Sequence, residues 1–179
     1  MTAPMTVADD PLAVSRASRA LVAVLRVGVA LLWIHNLGWK NPPTFGQGER
    51  PSGLYEFTRW AIEYPVFPPY SWVVEHLVLP NFAVFGWGVL IVESALGAFL
   101  LVGLATRLFA LVGVAQTLAI TFSVANAPNE WLWSYLLMLL AHLAIFATAA
   151  GRYAGLDGVL RPRWRAGNGR LARLLVVAS

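Results

Sequence analysis

Phe82 to Leu104, FAVFGWGVLIVESALGAFLLVGL, is the stretch whose reading decides the fold. At 1.5 Å per residue it makes a helix of about 35 Å, enough to cross the hydrocarbon core of a bilayer, and its one ionisable side chain is Glu93. Working outward, the runs from about Ala20 to Leu37, Leu108 to Ala125 and Trp131 to Ala150 share this character, each about 27 Å or longer as a helix. Across all four runs the only ionisable residues in mid-span are Arg26, Glu93 and His142. The chain therefore reads as all-α, an integral membrane four-helix bundle with spans at about 20–37, 82–104, 108–125 and 131–150.

The whole composition agrees. Hydrophobic residues make up 58% of the chain, charged ones 12%, and mean hydropathy is +0.64, values that suit lipid rather than water as the main solvent. Lys and Arg total 13 against 9 Asp and Glu, but the excess follows the loops instead of forming a groove-reading patch, so no nucleic-acid partner is read. The absence of cysteine excludes a disulfide framework, a redox dithiol, Cys-ligated zinc and an iron–sulfur cluster held by this chain. No metal site is read. A bis-His haem needs two histidines at one depth; interfacial polar contacts account for His35 and His76, so no haem is read either.

Residues 1–15, Pro-interrupted and aperiodic, read as a disordered N-terminal tail, 16–160 as the transmembrane domain, and 161–179 as a basic cytoplasmic tail that could press onto anionic lipid. The first apolar run reads as an uncleaved helix, because Arg26 interrupts it and no small-residue cleavage site follows. Between Lys40 and Pro80 lies a loop too long to be idle. Breakers from Asn41 to Pro51 predict irregular backbone, and Ser52–Tyr64 has an amphipathic helical pattern that would lie on the membrane surface. After Pro65, Pro68 and Pro69, a short helix over Ser71–Leu79 leads into the second span. Gly86, Gly88, Ser94, Gly97, Ala98 and Gly113 suit close helix contact.

Charge sets the orientation. Arg16, Arg19, Arg107, Arg152, Arg161, Arg163, Arg165, Arg170 and Arg173 fall on one side, and Lys40, Arg50 and Arg59 on the other, so both termini are expected in the cytoplasm. Trp33, Trp39, Trp72, Trp131 and Trp133 then form an aromatic belt at the outer interface.

Counted from the inner helix ends, Arg26, Gln116 and His142 lie about 12 Å deep and Glu93 about 16 Å, one polar group on each helix at nearly one depth. An Arg26–Glu93 ion pair, with Gln116 and His142 hydrogen-bonded nearby, is geometrically allowed. Such a pair can serve helix register alone. It can also form a proton-coupled or headgroup-binding site, in which Arg26 holds an anion or a quinone carbonyl, Glu93 accepts a proton and His142 titrates near neutrality.

The run Glu93-Ser94-Ala95-Leu96-Gly97-Ala98 through Gly103-Leu104-Ala105-Thr106-Arg107, the aromatic opening Trp131–Tyr135 and the closing Gly151-Arg152-Tyr153-Ala154-Gly155-Leu156-Asp157 together resemble the DoxX/DoxD family of small four-helix membrane proteins. The likeness extends over about Arg19 to Leu160, and the long outer loop with its Pro and Trp residues is more similar to the DoxD branch. What the resemblance implies is a multi-pass protein of a prokaryotic plasma membrane, the membrane subunit of a thiosulfate:quinone oxidoreductase working with a small DoxA subunit. No DoxA-like domain is expected after Leu160, so activity would need a separate redox partner subunit.

Two functions follow as expectations. One is a quinone-linked oxidoreductase subunit, with Glu93 and His142 catalytic and Arg26, Gln116 and His142 at the quinone headgroup. The other is a non-catalytic membrane anchor or assembly factor of the DoxX type. In either, Arg107, Arg152 and Asp157 read as contacts that pin helix ends, the lipid bilayer is a partner, and a homo-oligomer is compatible.

Overall fold

The computed structural model describes residues 15–167 and 169–179, all-helical with no strand among them. Apart from Ser15, the tail read at 1–15 lies outside the described residues. Helix α1 (Arg16–Asn36) opens on Ser15, whose Oγ accepts the Ser18 N–H at 3.1 Å. It buries Arg26, Val29, Ala30 and Trp33, spaced three to four residues apart on one face, while Leu21, Val24, Leu31 and Leu32 point outward. The exposed face is the apolar one, the reverse of a soluble helix.

Helix α2 (Gly53–Glu63) is the amphipathic segment of the loop. It packs on the bundle by burying Ala61 rather than lying only on a surface, and the Ser71 hydroxyl donates to the Ala61 carbonyl at 2.5 Å. The short helix after it differs from expectation. Helix α3 (Pro68–Val73), a π-helical turn at Val74–Val78 and a 3₁₀ turn at Leu79–Asn81 run without interruption into α4 (Phe82–Val102), giving one helical segment of 35 residues. Pro80 has no N–H to give to the preceding turn, and the widened and tightened turns accommodate that loss without a break in the helix. At about 52 Å this segment exceeds a hydrocarbon core, so its first part stands beyond the span and covers the loop end of the bundle. The Tyr70 hydroxyl bonds Ser123 Oγ at 3.0 Å and the Asn126 amide donates to the Pro65 carbonyl at 3.0 Å, fixing that cover to the next helix.

Gly103, at φ 69°, ψ 44°, ends α4 in the left-handed region; a Cβ there would stand 2.9 Å from the Arg26 guanidinium, so glycine is required twice over. The chain then returns through α5 (Thr106–Val124) and α6 (Leu132–Thr148). A 3₁₀ turn at Ala150–Arg152 leads to α7 (Leu156–Ala166) and α8 (Arg170–Ala178). The basic tail read from 161 is thus helical, and residue 160 falls inside α7. Helix α1 packs on α4, α4 on α5, α5 on α6 and α6 on α1, around Val29, Trp33, Leu96, Leu100, Ala110 and Ile145.

α1, the Pro68–Val102 segment and α5 are long and apolar enough to cross a membrane; α6, at 17 residues, is apolar but shorter. In each of the three, 28% of the most apolar window is buried inside the protein, so most of that surface faces outward, as a membrane protein requires. Of the small residues singled out, Gly86 admits Phe45 and Gly113 admits His142, where a Cβ would come within 2.5 Å and 2.1 Å respectively, whereas Gly88 faces open space.

Candidate functional site

Antiparallel pairing of α1 and α4 decides which polar groups meet. Side chains on a helix tilt toward its N-terminus. Glu93 on α4 therefore leans toward the loop end, and Arg26 on α1 leans the opposite way.

Lys40, four residues past the end of α1, meets Glu93 at 2.6 Å (Nζ to Oε2), both side chains 1% exposed. The same carboxylate accepts from Asn36 Nδ2 at 3.2 Å on one oxygen and from Gln116 Nε2 at 3.2 Å on the other. Lys40 also donates to the Asn36 carbonyl at 3.0 Å and lies 4.2 Å from the Trp39 ring centroid, and the Trp39 indole donates to Asn36 Oδ1 at 2.9 Å. Burial pushes the Lys40 ammonium below the usual lysine range, and its bond and charge attraction to Glu93 oppose that shift.

One turn along α1 from Asn36, the Trp33 indole donates to His142 Nε2 at 2.9 Å, and His142 Nδ1 bonds the Met138 carbonyl at 2.7 Å. An indole N–H can only donate and a carbonyl can only accept, so His142 is held neutral with its proton on Nδ1. Gly113 on α5 makes the room for the ring.

Arg26 is elsewhere, and the Arg26–Glu93 pair that depth alone allowed does not form. Its guanidinium donates to the carbonyls of Leu100, Leu101 (2.8 Å) and Ala154 (3.0 Å), satisfying the end of α4 and tying it to α1 and the turn before α7. Depth counting along the helix axis placed it beside Glu93; the register of α1 on α4, in which Gly97 packs against Ala30 and Ile34 and Asn36 meets Glu93, sets Arg26 at the end of α4, and the opposed tilts of the two side chains add to that separation. The structure thus joins Glu93 and Gln116 directly, sets His142 one turn of α1 away, and removes Arg26 to the basic end.

At that end Asp157, fully buried, accepts the Ala105 N–H at 2.8 Å and the Thr106 N–H at 2.9 Å, capping α5 from another helix. The guanidinium of Arg107 lies 4.4 Å from the Phe146 ring centroid, and Arg152 donates to the Ser179 carbonyl at 2.9 Å.

Lys40, Asn36 and Trp33 are members the sequence reading missed as site residues. The signal was present: Arg26, Val29, Trp33, Asn36 and Lys40 recur at three- and four-residue steps, so the inward face of α1 continues past the helix end. Charge counting for topology had already given Lys40 another explanation.

A family model described as DoxD, TQO small subunit DoxD, matches residues 66–178. The matched segment holds Glu93, Gln116, His142 and Asp157, while α1 and Lys40 precede it. No curated protein and no solved structure matches the chain.

Proposed function

The chain belongs to the DoxD family, and from that premise we propose that it is the membrane subunit of a quinone-linked oxidoreductase, with thiosulfate as the candidate substrate. The observation that carries the reading is a buried ion pair, Lys40–Glu93, bonded to Asn36 and Gln116 within an outward-apolar helical protein. Polar groups at membrane depth are costly and mark functional sites by default.

Donor chemistry at this site fits a quinone. The Asn36 and Gln116 amides are half-buried, and their 3.2 Å bonds to Glu93 are longer than the lysine's. A carbonyl could exchange for the carboxylate at either amide. A bound quinone would supply two-electron acceptance; the chain's own residues would orient it through Gln116 and Asn36, with Glu93 and His142 as proton carriers. Electrons would come from a separate partner subunit, or from a substrate oxidised at the outer face.

In this proposal α1, α4, α5 and α6 all span a prokaryotic plasma membrane as a four-helix bundle, 16–160 forming the transmembrane domain. At about 25 Å, α6 crosses with the help of Trp131 and Trp133 at its head. Both termini are cytoplasmic, as the basic residues at their end of the bundle favour. A cysteine placed at Ser52 in this Cys-free chain should then label from the outside only.

The test of function is substrate-dependent quinone reduction in membranes. Glu93→Gln and His142→Ala should abolish it with the protein still inserted, and Gln116→Leu, at a half-buried position, should lower it without a folding defect. The second reading, a non-catalytic anchor or assembly factor, is favoured by one observation: both Glu93 oxygens and both His142 nitrogens are already bonded within the chain. Wild-type reduction rates in all three variants would establish that reading instead.

A further inference from the structure

The basic end of the bundle gathers more guanidiniums than side-chain carboxylates. Two neighbouring cavities, about 300 and 250 Å³, share Arg152 as a wall. Arg19 completes the cationic lining of the first, Arg161 and Arg165 that of the second. The one side-chain carboxylate there, Asp157, accepts the backbone N–H groups of Ala105 and Thr106, while Arg152 donates to the Ser179 carbonyl and Arg161 to the Ser179 hydroxyl and the Val176 carbonyl. Among the described residues the ion pair is Lys40–Glu93, at the other end of the bundle. The Nε–H groups of Arg107 and Arg152 are buried without an acceptor. Burial first, and then the neighbouring guanidiniums, push Arg152 and Arg161 below the ordinary arginine range. An anion against Arg152, which lines both cavities, would relieve the repulsion among these guanidiniums.

The flanks are apolar. Ala20 and Ala23 of α1 line the first cavity beside outward-facing Leu21 and Val24, and α8 exposes Leu171, Leu174 and Val177 next to Arg170 and Arg173. A free phosphate has no use for such surroundings; acyl chains do.

We propose that this end is a binding site for an anionic phospholipid, its phosphate held by Arg152 with Arg19, Arg161 and Arg165 and its acyl chains along the outer faces of α1 and α8. The site rests on the chain being a membrane protein and is independent of quinone chemistry at Glu93. An arginine within reach of a lipid phosphate contributes about fivefold in affinity.

The full chain, delipidated in neutral detergent, is titrated with phosphatidylglycerol or with phosphatidylcholine of the same acyl chains, and adducts are read by native mass spectrometry. Phosphatidylglycerol should be retained and phosphatidylcholine lost. Arg19→Gln and Arg165→Gln, both at exposed positions, should each weaken retention about fivefold with helical circular dichroism unchanged. Arg59→Gln, exposed at the opposite end, should leave it as in the wild type. Equal retention of the two lipids, or no effect of the Arg19 and Arg165 changes, would overturn the assignment. Displacement of phosphatidylglycerol by millimolar inorganic phosphate would overturn it too, since the site would then take the free anion.

Discussion

Replacing Lys40 with methionine removes the cation facing a carboxylate that is 1% exposed. At 2.6 Å and an effective dielectric constant of about 20, the pair's attraction is about 6 kcal/mol. Desolvating the two charges costs several kcal/mol each, so the intact pair contributes little net stability. Removing one partner is different, because the other is left buried without compensation; the expected loss for Lys40→Met is about 3–5 kcal/mol. Glu93→Gln should cost less, since Lys40 keeps the Asn36 carbonyl and the Trp39 ring. In the double variant Lys40→Met with Glu93→Gln no charge is stranded, and the glutamine can still bond the Asn36 and Gln116 amides. A coupling energy of about 2–3 kcal/mol should therefore appear in the double-mutant cycle. The assay is SDS-driven unfolding in bicelles followed by the fluorescence of the eight tryptophans. The companion cycle, Arg26→Met with Glu93→Gln, should be additive to within about 0.5 kcal/mol. Additivity at Lys40–Glu93 together with coupling at Arg26–Glu93 would refute the side-chain directions on which the site is built.

In the same assay Gly113→Ala should cost about 1–3 kcal/mol, because its Cβ would fall 2.1 Å from the His142 ring, while Gly88→Ala, with nothing within 4 Å, should cost nothing and can gain up to about 1 kcal/mol of helix propensity. Similar losses at both glycines would count against the packing of α5 on α6. Asp157→Ala leaves two buried N–H groups of α5 without an acceptor and should cost about 2–4 kcal/mol, with Asp157→Asn intermediate; a neutral Asp157→Ala would show that α5 is capped some other way. Nitrogen-15 NMR of labelled histidine should find His142 at neutral pH with Nδ1 protonated and Nε2 bare, a pattern that Trp33→Phe should disturb. The opposite tautomer in the wild type would discard the Trp33 contact.

The class of this protein was written in its local sequence, because solvent choice depends on apolar run length, which needs no partner to be read. Phe82–Leu104 with one charge already required lipid, and the cores of α1, α4, α5 and α6 lie where their apolar runs do, within a few residues at each end. The DoxD likeness, too, was carried by short motifs such as Gly151 to Asp157, and the matched family model includes them. That Glu93, Gln116 and His142 are special was legible from cost alone: each is polar inside an apolar run. Their partners were not. Depth along a helix is a one-dimensional coordinate, and it put Arg26 level with Glu93; only the register of α1 packed antiparallel on α4, helped by side chains tilting in opposite directions, sends Glu93 to Lys40 and Arg26 to the carbonyls that end α4. Likewise Pro80, which has no N–H to give to the preceding turn, sits inside one continuous helical segment, with α2 packed against the turns around it. Pairing is a property of two elements at once, and no single stretch of sequence contains it.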